Sequence, residues 1–208
     1  MSKKRFVILH NPTAGRRSCR NLKRVARGLE EVGCIVELIE TQYPGHAVEL
    51  AKGWVDKADV VVAAGGDGTL SEVVTGLSGS GQAMGLIPLG TANVAALELG
   101  LVRSSGTDWD HVLQTLLNGR RKALSIGRAR TSAGERLFTM MVGVGFDATA
   151  VANVDLGIKK KWGKLRYLLS GLAAWWNYSS FKLSVNECSV ISPWSVSYTH
   201  LRAHETLL

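Results

Sequence analysis

The sequence predicts an α/β protein in which a three-layer domain with a parallel sheet precedes the beginning of a β-rich second lobe. Strand and helix patterns alternate through the first half of the 208 residues. Continuous β-branched runs such as Val60-Val61-Val62 suit strands that are covered on both faces. Alternating elements imply parallel strands joined by right-handed crossovers. After about residue 120 this alternation ends and shorter strand patterns replace it.

The elements of the first domain follow one another in a regular order. Four apolar runs predict strands at residues 5–10, 34–39, 59–64 and 83–88. The segment 19–32 carries apolar residues at helical spacing, and Gly33 ends the helix. Further helices are predicted at residues 47–57, 70–77, 92–99 and 109–118.

The remainder of the chain is predicted to be richer in strands. Strands are expected at 122–130, 137–144 and 181–185, and a helix at 161–178. The predicted domains are therefore residues 1–120, an α/β nucleotide-binding domain, and 121–191, a partial β-rich lobe. Residues 192–208 show neither the helical nor the strand spacing of apolar residues, and they resemble translated adaptor sequence. An unstructured, non-native tail is therefore expected there.

The chain is basic, with a formal net charge of +8 at pH 7. Such a charge suits nucleotide phosphates, anionic lipid or nucleic acid. Basic residues without interleaved base-stacking aromatics argue against a specific nucleic-acid partner. The three cysteines lack the spacing of metal ligands. The first residues are predicted to form a strand and do not read as a secretory signal, so a cytoplasmic location is expected.

The stretch "VVVAAGGDGTLSEVV" (residues 60–74) runs from a buried strand through glycines into a helix. Glycines let the main chain approach a ligand, and a helix start presents unpaired N–H groups, both of which suit phosphate. A carboxylate in such a loop would repel phosphate. Asp67 is therefore expected to hold Mg²⁺, to take a proton from an attacking hydroxyl, or merely to cap the helix.

Two further polar, glycine-bearing loops follow predicted strands. "NPTAG" (residues 11–15) comes after the first strand, and "PLGTAN" (88–93) comes after the fourth. The carboxyl ends of parallel strands share one edge of a sheet, where open α/β folds bind ligands. The three loops therefore predict one phosphate-binding edge.

These loops occur together with "TQYPGHA" (residues 41–47) and "GVGFDA" (143–148). In this order and spacing the segments resemble the diacylglycerol kinase-like lipid kinases over about residues 5–185. The resemblance implies ATP-dependent transfer of the γ-phosphoryl group to a lipid hydroxyl, such as that of diacylglycerol, in phospholipid metabolism. It also implies that ATP contacts Asn11, Pro12, Thr13, Ala14, Gly15, Thr41, Gly65, Gly66, Asp67, Gly68, Thr69, Leu70, Ser71, Glu72 and Thr91.

The resemblance gives these residues different roles. Asp67 would be the catalytic residue that organises Mg²⁺, directly or through water, and the acceptor hydroxyl, while the hydroxyls of Thr69 and Thr91 would bind phosphate. Glu72 would either orient the ligand or favour the helix N-terminus, and Asn93 would fix loop geometry. As a surface carboxylate, Asp67 is expected to contribute little to packing, so that Asp67→Asn leaves the fold intact.

The resemblance also has gaps. Ser71 and Thr75 stand where family members often have asparagine. The family's structural metal site and the carboxylate often assigned as its base match no segment here, so a truncated and weakly active or inactive chain is expected. Its lipid substrate and oligomeric state are not predicted.

Two alternatives to the lipid kinase stay open. An NAD kinase shares the glycine loop, and a non-catalytic nucleotide-binding module would need no second lobe.

The segment 157–178 joins a basic run to tryptophans; the favoured interpretation is a core helix with a solvated basic start. Peripheral contact of this segment with an anionic membrane on its inner face is the secondary expectation.

Overall fold

A computed structural model describes residues 3–14, 18–131, 134–145, 181–185, 188–192 and 195–199. The described residues divide into two compact units, of which the first reaches Thr139 and the second begins at Met140. The boundary therefore lies beyond residue 120, where the sequence pattern changes. Each unit is described by itself below.

The first unit is built on a four-stranded sheet. Its strands are β1 (Arg5–His10), β2 (Ile35–Glu40), β3 (Val60–Gly65) and β4 (Met84–Pro88). They are parallel and lie in the order β2-β1-β3-β4. Each strand begins and ends within about a residue of its predicted bounds, because continuous apolar runs mark buried parallel strands clearly.

In the described part of the chain, five helices connect or follow these strands. They are α1 (Ser18–Glu31), α2 (His46–Gly53), α3 (Asp67–Leu77), α4 (Val94–Glu98) and α5 (Trp109–Asn118). The crossovers from β1 to β2 and from β3 to β4 run in opposite directions along the sheet. Right-handed crossovers therefore place α1 and α3 on opposite faces. This arrangement confirms the predicted α/β class, with a β-rich region after it.

Small residues set the distances between the helices. A methyl group built on Gly28 of α1 would lie 2.5 Å from a methyl carbon of Leu113 in α5. One built on Gly76 of α3 would lie 2.7 Å from the side chain of Ala51 in α2. The pairs α1–α5 and α2–α3 thus pack closely because glycine leaves the space.

The core lies between the sheet and these helices. Phe6, Val7, Ile8 and Leu9 of the central strand β1 are fully buried, and β3 is buried along its whole length. Complete burial of such a side chain contributes about 1.5–3 kcal/mol. The edge strand β2 is more exposed. The two central strands therefore anchor the loops at their carboxyl ends most firmly.

The helix bounds differ most from the prediction at two places. Helix α3 begins at Asp67 instead of residue 70, so that Asp67, Gly68 and Thr69 form its first turn and not a loop. Helix α2 ends at Gly53 instead of residue 57. Glycine and aspartate are typical of turns, which is why the sequence pattern placed the start of α3 too late.

The described residues of the first unit also include two hairpins. The strands β5 (Val102–Arg103) and β6 (Gly106–Thr107) form one, and β7 (Gly127–Thr131) and β8 (Gly134–Phe138) form the other. Strand β8 contacts α3. This contact joins the second hairpin to the α/β domain.

The described part of the second unit consists of antiparallel strand pairs. Strands β10 (Phe181–Val185) and β11 (Cys188–Ser192) pair, as do β9 (Met141–Gly145) and β12 (Ser195–Thr199). Strand β12 lies within residues 192–208, where an unstructured tail was expected. The expectation is corrected for residues 195–199. Val196 and Tyr198 of β12 alternate with hydroxyl residues, a strand period that the sequence analysis missed. The predicted helix 161–178 lies outside the described residues.

Candidate functional site

The carboxyl ends of the four parallel strands bring four segments to one edge of the sheet. They are residues 11–14 after β1, 41–45 after β2, the start of α3 after β3, and 89–93 after β4. The winding direction of the sheet reverses between β1 and β3. Open α/β sheets bind ligands in the crevice at such a switch point. The β1 and β3 segments therefore flank the expected ligand position.

Asn11 joins these two segments. Its backbone N–H donates to the carbonyl oxygen of Ala64 at 3.0 Å, and its Nδ2 donates to Thr69 Oγ1 at 3.3 Å. Asn11 Oδ1 accepts from the amide and the hydroxyl of Thr13 at 3.0 and 2.7 Å. A side chain at Gly65 would overlap the Thr69 hydroxyl, so glycine is required beside this contact.

Asp67 is held by the next segment along the edge. Its Oδ2 accepts from the Val94 amide and its Oδ1 from the Ala95 amide, both at 3.2 Å. The cap residue of α4, Asn93, makes no side-chain cap bond of its own. Asp67 therefore caps α4, a helix that starts 27 residues later, and does not cap its own helix.

The glycine segment and the β4 segment are in main-chain contact. A methyl group on Gly90 would lie 2.5 Å from Gly66 Cα and 2.8 Å from Asn93 Oδ1. Asn93 adopts left-handed backbone angles, with φ 48°, and its Nδ2 donates to the Gly90 carbonyl oxygen at 2.8 Å. These contacts support the expected role of Asn93 in loop geometry. Thr91 lies exposed in the same segment.

Glu72 contacts the segment after β2. Its Oε2 accepts from the backbone amide of Ala47 in the first turn of α2, at 3.2 Å. Just before that helix, the Thr41 amide donates to the carbonyl oxygen of His10 at 2.8 Å. Asp67, Thr69 and Glu72, all near the start of α3, thus each hold a different neighbouring segment.

His10 is a residue at this edge that the sequence reasoning missed. It ends β1 with 5% of its surface exposed, and neither ring nitrogen has a hydrogen-bond partner among the described residues. Its Nδ1 lies 3.8 Å from Glu40 Oε1. Burial lowers the pKa of His10, against a smaller opposing effect of Glu40. A histidine at the end of an apolar strand, next to "NPTAG", was the available signal.

The first turn of α3 supplies the groups that an anion would meet. The Leu70 amide donates to the Gly66 carbonyl oxygen at 3.1 Å, so the amides of Asp67, Gly68 and Thr69 precede the first bond of the helix. Gly68 is exposed, and a methyl group on it would meet no atom of the described residues within 4 Å. The main chain is therefore accessible there, at the positive end of an eleven-residue helix.

Most of the predicted site residues lie along this edge. Gly15 falls outside the described residues, and Leu70 is buried, so it would reach a ligand only through its backbone. Within the described ranges no group of three or more His, Cys, Asp and Glu side chains forms a metal site. A metal ion at Asp67 would therefore need ligands from a bound phosphate or water.

The amino-acid sequence matches one family over most of this unit. Residues 5–129 match the family described as the diacylglycerol kinase catalytic domain. The chain belongs to this family. This match confirms the predicted family. The matched residues include all four segments at the sheet edge.

Individual relatives agree with the assignment. The chain is 32% identical over 173 residues to a diacylglycerol kinase of Bacillus subtilis (strain 168), covering 81% of this chain and 55% of that protein. It is 30% identical over 174 residues to a "Probable lipid kinase YegS-like" of Pseudomonas putida, covering 82% and 55%. The chain therefore spans about half the length of these curated relatives.

The fold is shared with solved structures. A crystal structure of a diacylglycerol kinase from Bacillus anthracis has a TM-score of 0.64 at 22% identity, covering 91% of this chain and 61% of that one. No helix among the described residues is long and apolar enough to cross a membrane.

Proposed function

We propose that this diacylglycerol kinase family chain binds ATP at the carboxyl edge of its sheet and serves in transfer of the γ-phosphoryl group to a lipid hydroxyl. The observation that carries the proposal is the accessible first turn of α3, where an exposed Gly68 leaves the main chain open beside the β1–β3 switch point. The relatives named diacylglycerol kinase and lipid kinase support a lipid such as diacylglycerol as the acceptor.

The chain's own residues would act mainly by binding and orienting the triphosphate. Amides of the first turn of α3 would donate to phosphate oxygens, and Thr91, exposed in the neighbouring segment, would add a hydroxyl. Asn11 would keep the β1 segment against Thr69. In the transfer, a bond forms between the lipid oxygen and the γ-phosphorus while the bond between the γ-phosphorus and the bridging β-phosphate oxygen breaks. ADP leaves with that electron pair, and the proton of the lipid hydroxyl passes to water. Such chemistry depends on positioning and charge stabilisation.

Asp67 is the residue that we propose to hold Mg²⁺. Each carboxylate oxygen accepts one amide, which leaves a lone pair on each for water or metal. Mg²⁺ usually keeps several waters and is held by one or two carboxylates with substrate phosphates, so a single carboxylate fits. When bound, the ion would neutralise charge on the phosphates.

The proposal extends to location. A lipid acceptor implies that a cytoplasmic chain meets the membrane at its surface. The segment 157–178, which would make this contact, lies outside the described residues. The test is to neutralise Lys159, Lys160 and Lys161 and to measure binding to anionic vesicles across a salt series.

A transfer assay separates the lipid kinase from its rivals. Radiolabelled Mg·ATP is incubated with the chain and with diacylglycerol in mixed micelles, NAD, or neither. Label in the lipid fraction supports the proposal, and label in NAD favours an NAD kinase-like enzyme. Nucleotide binding without transfer to either acceptor favours a non-catalytic nucleotide-binding module.

A further inference from the structure

Helix α2 begins without a capping side chain of its own. Its cap residue is Gly45, which adopts left-handed angles, with φ 91°, and has no side chain to accept a bond. The Ala47 amide in the first turn donates instead to Glu72 Oε2 of α3, at 3.2 Å. Ala47 is fully buried, so water does not offer a ready alternative acceptor. The N-terminus of α2 therefore depends on a carboxylate from another helix.

The close packing of the two helices keeps Glu72 within reach. A methyl group on Gly76, one turn after Glu72, would lie 2.6 Å from the carbonyl oxygen of Val48. The helices approach this closely because Gly76 has no side chain. A carboxylate at a helix N-terminus also interacts favourably with the helix dipole. Removing it would leave a buried donor unsatisfied, which is the costly way to lose a hydrogen bond.

The segment after β2 is also held to β1, because the Thr41 amide donates to the His10 carbonyl oxygen at 2.8 Å, and it is held by contacts of its own. Within residues 41–46, the Gln42 amide donates to His46 Nδ1 at 3.1 Å. The Tyr43 ring stacks on His46, with centroids 4.6 Å apart. These contacts shape the segment without fixing it to the glycine turn of α3. The Glu72 bond at the base of the segment makes that connection.

We propose that Glu72 is a positioning residue: through the Ala47 amide it holds the segment that carries Thr41 in register with the first turn of α3. The inference rests on the proposed nucleotide site, and it assigns Glu72 no contact with ATP. Nucleotide affinity then depends on an acceptor oxygen at this position and not on the negative charge.

Three substitutions of Glu72 separate these possibilities. Glu72→Gln keeps an acceptor oxygen at the same distance but removes the charge. Glu72→Asp keeps the charge on a shorter side chain that falls short of the Ala47 amide, and Glu72→Ala removes both. The matched control is Glu30→Ala, which removes an exposed helical glutamate from α1.

Two measurements are made on each variant of the 208-residue chain. Hydrogen exchange of residues 41–51 without nucleotide reports on the segment itself, and titration with Mg·ATP reports on affinity. Glu72→Ala and Glu72→Asp are expected to exchange faster and to bind Mg·ATP about tenfold more weakly, as for a lost bond to a buried donor. Glu72→Gln and Glu30→Ala are expected to stay within about threefold of the wild-type affinity, a change below 0.7 kcal/mol.

Other results overturn the inference in distinguishable ways. If Glu72→Gln loses as much affinity as Glu72→Ala, Glu72 acts by its charge and as a direct ligand. If Glu72→Ala keeps wild-type exchange in residues 41–51, the segment is not held by this bond. If exchange rises but affinity is unchanged, the bond is structural only. Failure of the wild type to bind Mg·ATP contradicts the proposed function, while the exchange data still decide whether Glu72 holds the segment.

Discussion

Replacing Asp67 by alanine is expected to destabilise the α/β unit, because its carboxylate holds α4 as well as facing the proposed phosphate site. The substitution removes the acceptors of the Val94 and Ala95 amides, each at 3.2 Å. Loss of a helix cap costs about 0.5–2 kcal/mol. Two amides lose their acceptor here, which places the expected loss in the upper half of that range, about 1–2 kcal/mol.

Thermal unfolding with hydrogen exchange measures this effect. For a chain of this size, 1–2 kcal/mol corresponds to a decrease in Tm of roughly 2–8 °C. Amides at the start of α4 should exchange faster, while those of α5 should not. Asp67→Asn should lose about half as much stability as Asp67→Ala, since its side chain still offers one acceptor oxygen.

The matched control is Asp110→Ala. Asp110 lies in the first turn of α5 and pairs with Arg24 at 2.8 Å, but both side chains are largely exposed. Such a surface pair contributes at most about 1 kcal/mol. If Asp67→Ala lowers the Tm no more than Asp110→Ala, and α4 exchange is unchanged, the capping role of Asp67 is refuted.

Two further predictions concern the buried edge of the sheet. Gly90→Ala should destabilise the chain by about 1–3 kcal/mol in urea unfolding, because its methyl group would lie 2.5 Å from Gly66 Cα, against main chain that cannot rotate away; an unchanged midpoint would show that the two segments separate freely. Stability should also fall as the pH drops below 6.5, because burial lowers the pKa of His10 and the unfolded chain therefore binds its proton first. The loss of stability should level off below the lowered pKa. His10→Phe should make stability less dependent on pH in this range. If both proteins lose stability with the same slope, other titrating groups cause the loss.

The sequence predicted the local features of this fold well. The strands of the sheet are continuous apolar runs, and Gly33, with φ 86°, ends α1 as predicted. There the Cys34 amide donates to the Leu29 carbonyl oxygen at 3.1 Å, a local bond that a helix-ending glycine implies. The loops of the candidate site were predicted to share an edge because all parallel strands end on the same side.

The partners of the site residues could not be predicted in the same way. Asp67 was expected to contribute little to the fold, yet it caps a helix that is distant in sequence. Glu72 was expected either to orient ligand or to favour its own helix, yet it accepts from α2. These bonds depend on how helices and segments lie in space after the chain has folded, and no period or motif encodes that.

Calorimetric titration of Mg·ATP into the wild-type chain and Gly68→Ala examines the phosphate-binding turn itself. The added methyl group meets no atom within 4 Å in the part of the chain that the structure describes, and it should raise helix stability by up to about 1 kcal/mol. It would nevertheless stand where a phosphate must approach the main chain. We expect the wild type to bind Mg·ATP in competition with ADP, and Gly68→Ala to be at least as stable but to bind about tenfold more weakly, a difference of 1.4 kcal/mol. Folded wild-type protein that gives no heat and no ADP competition, or a Gly68→Ala chain with undiminished affinity, would contradict nucleotide binding at this turn.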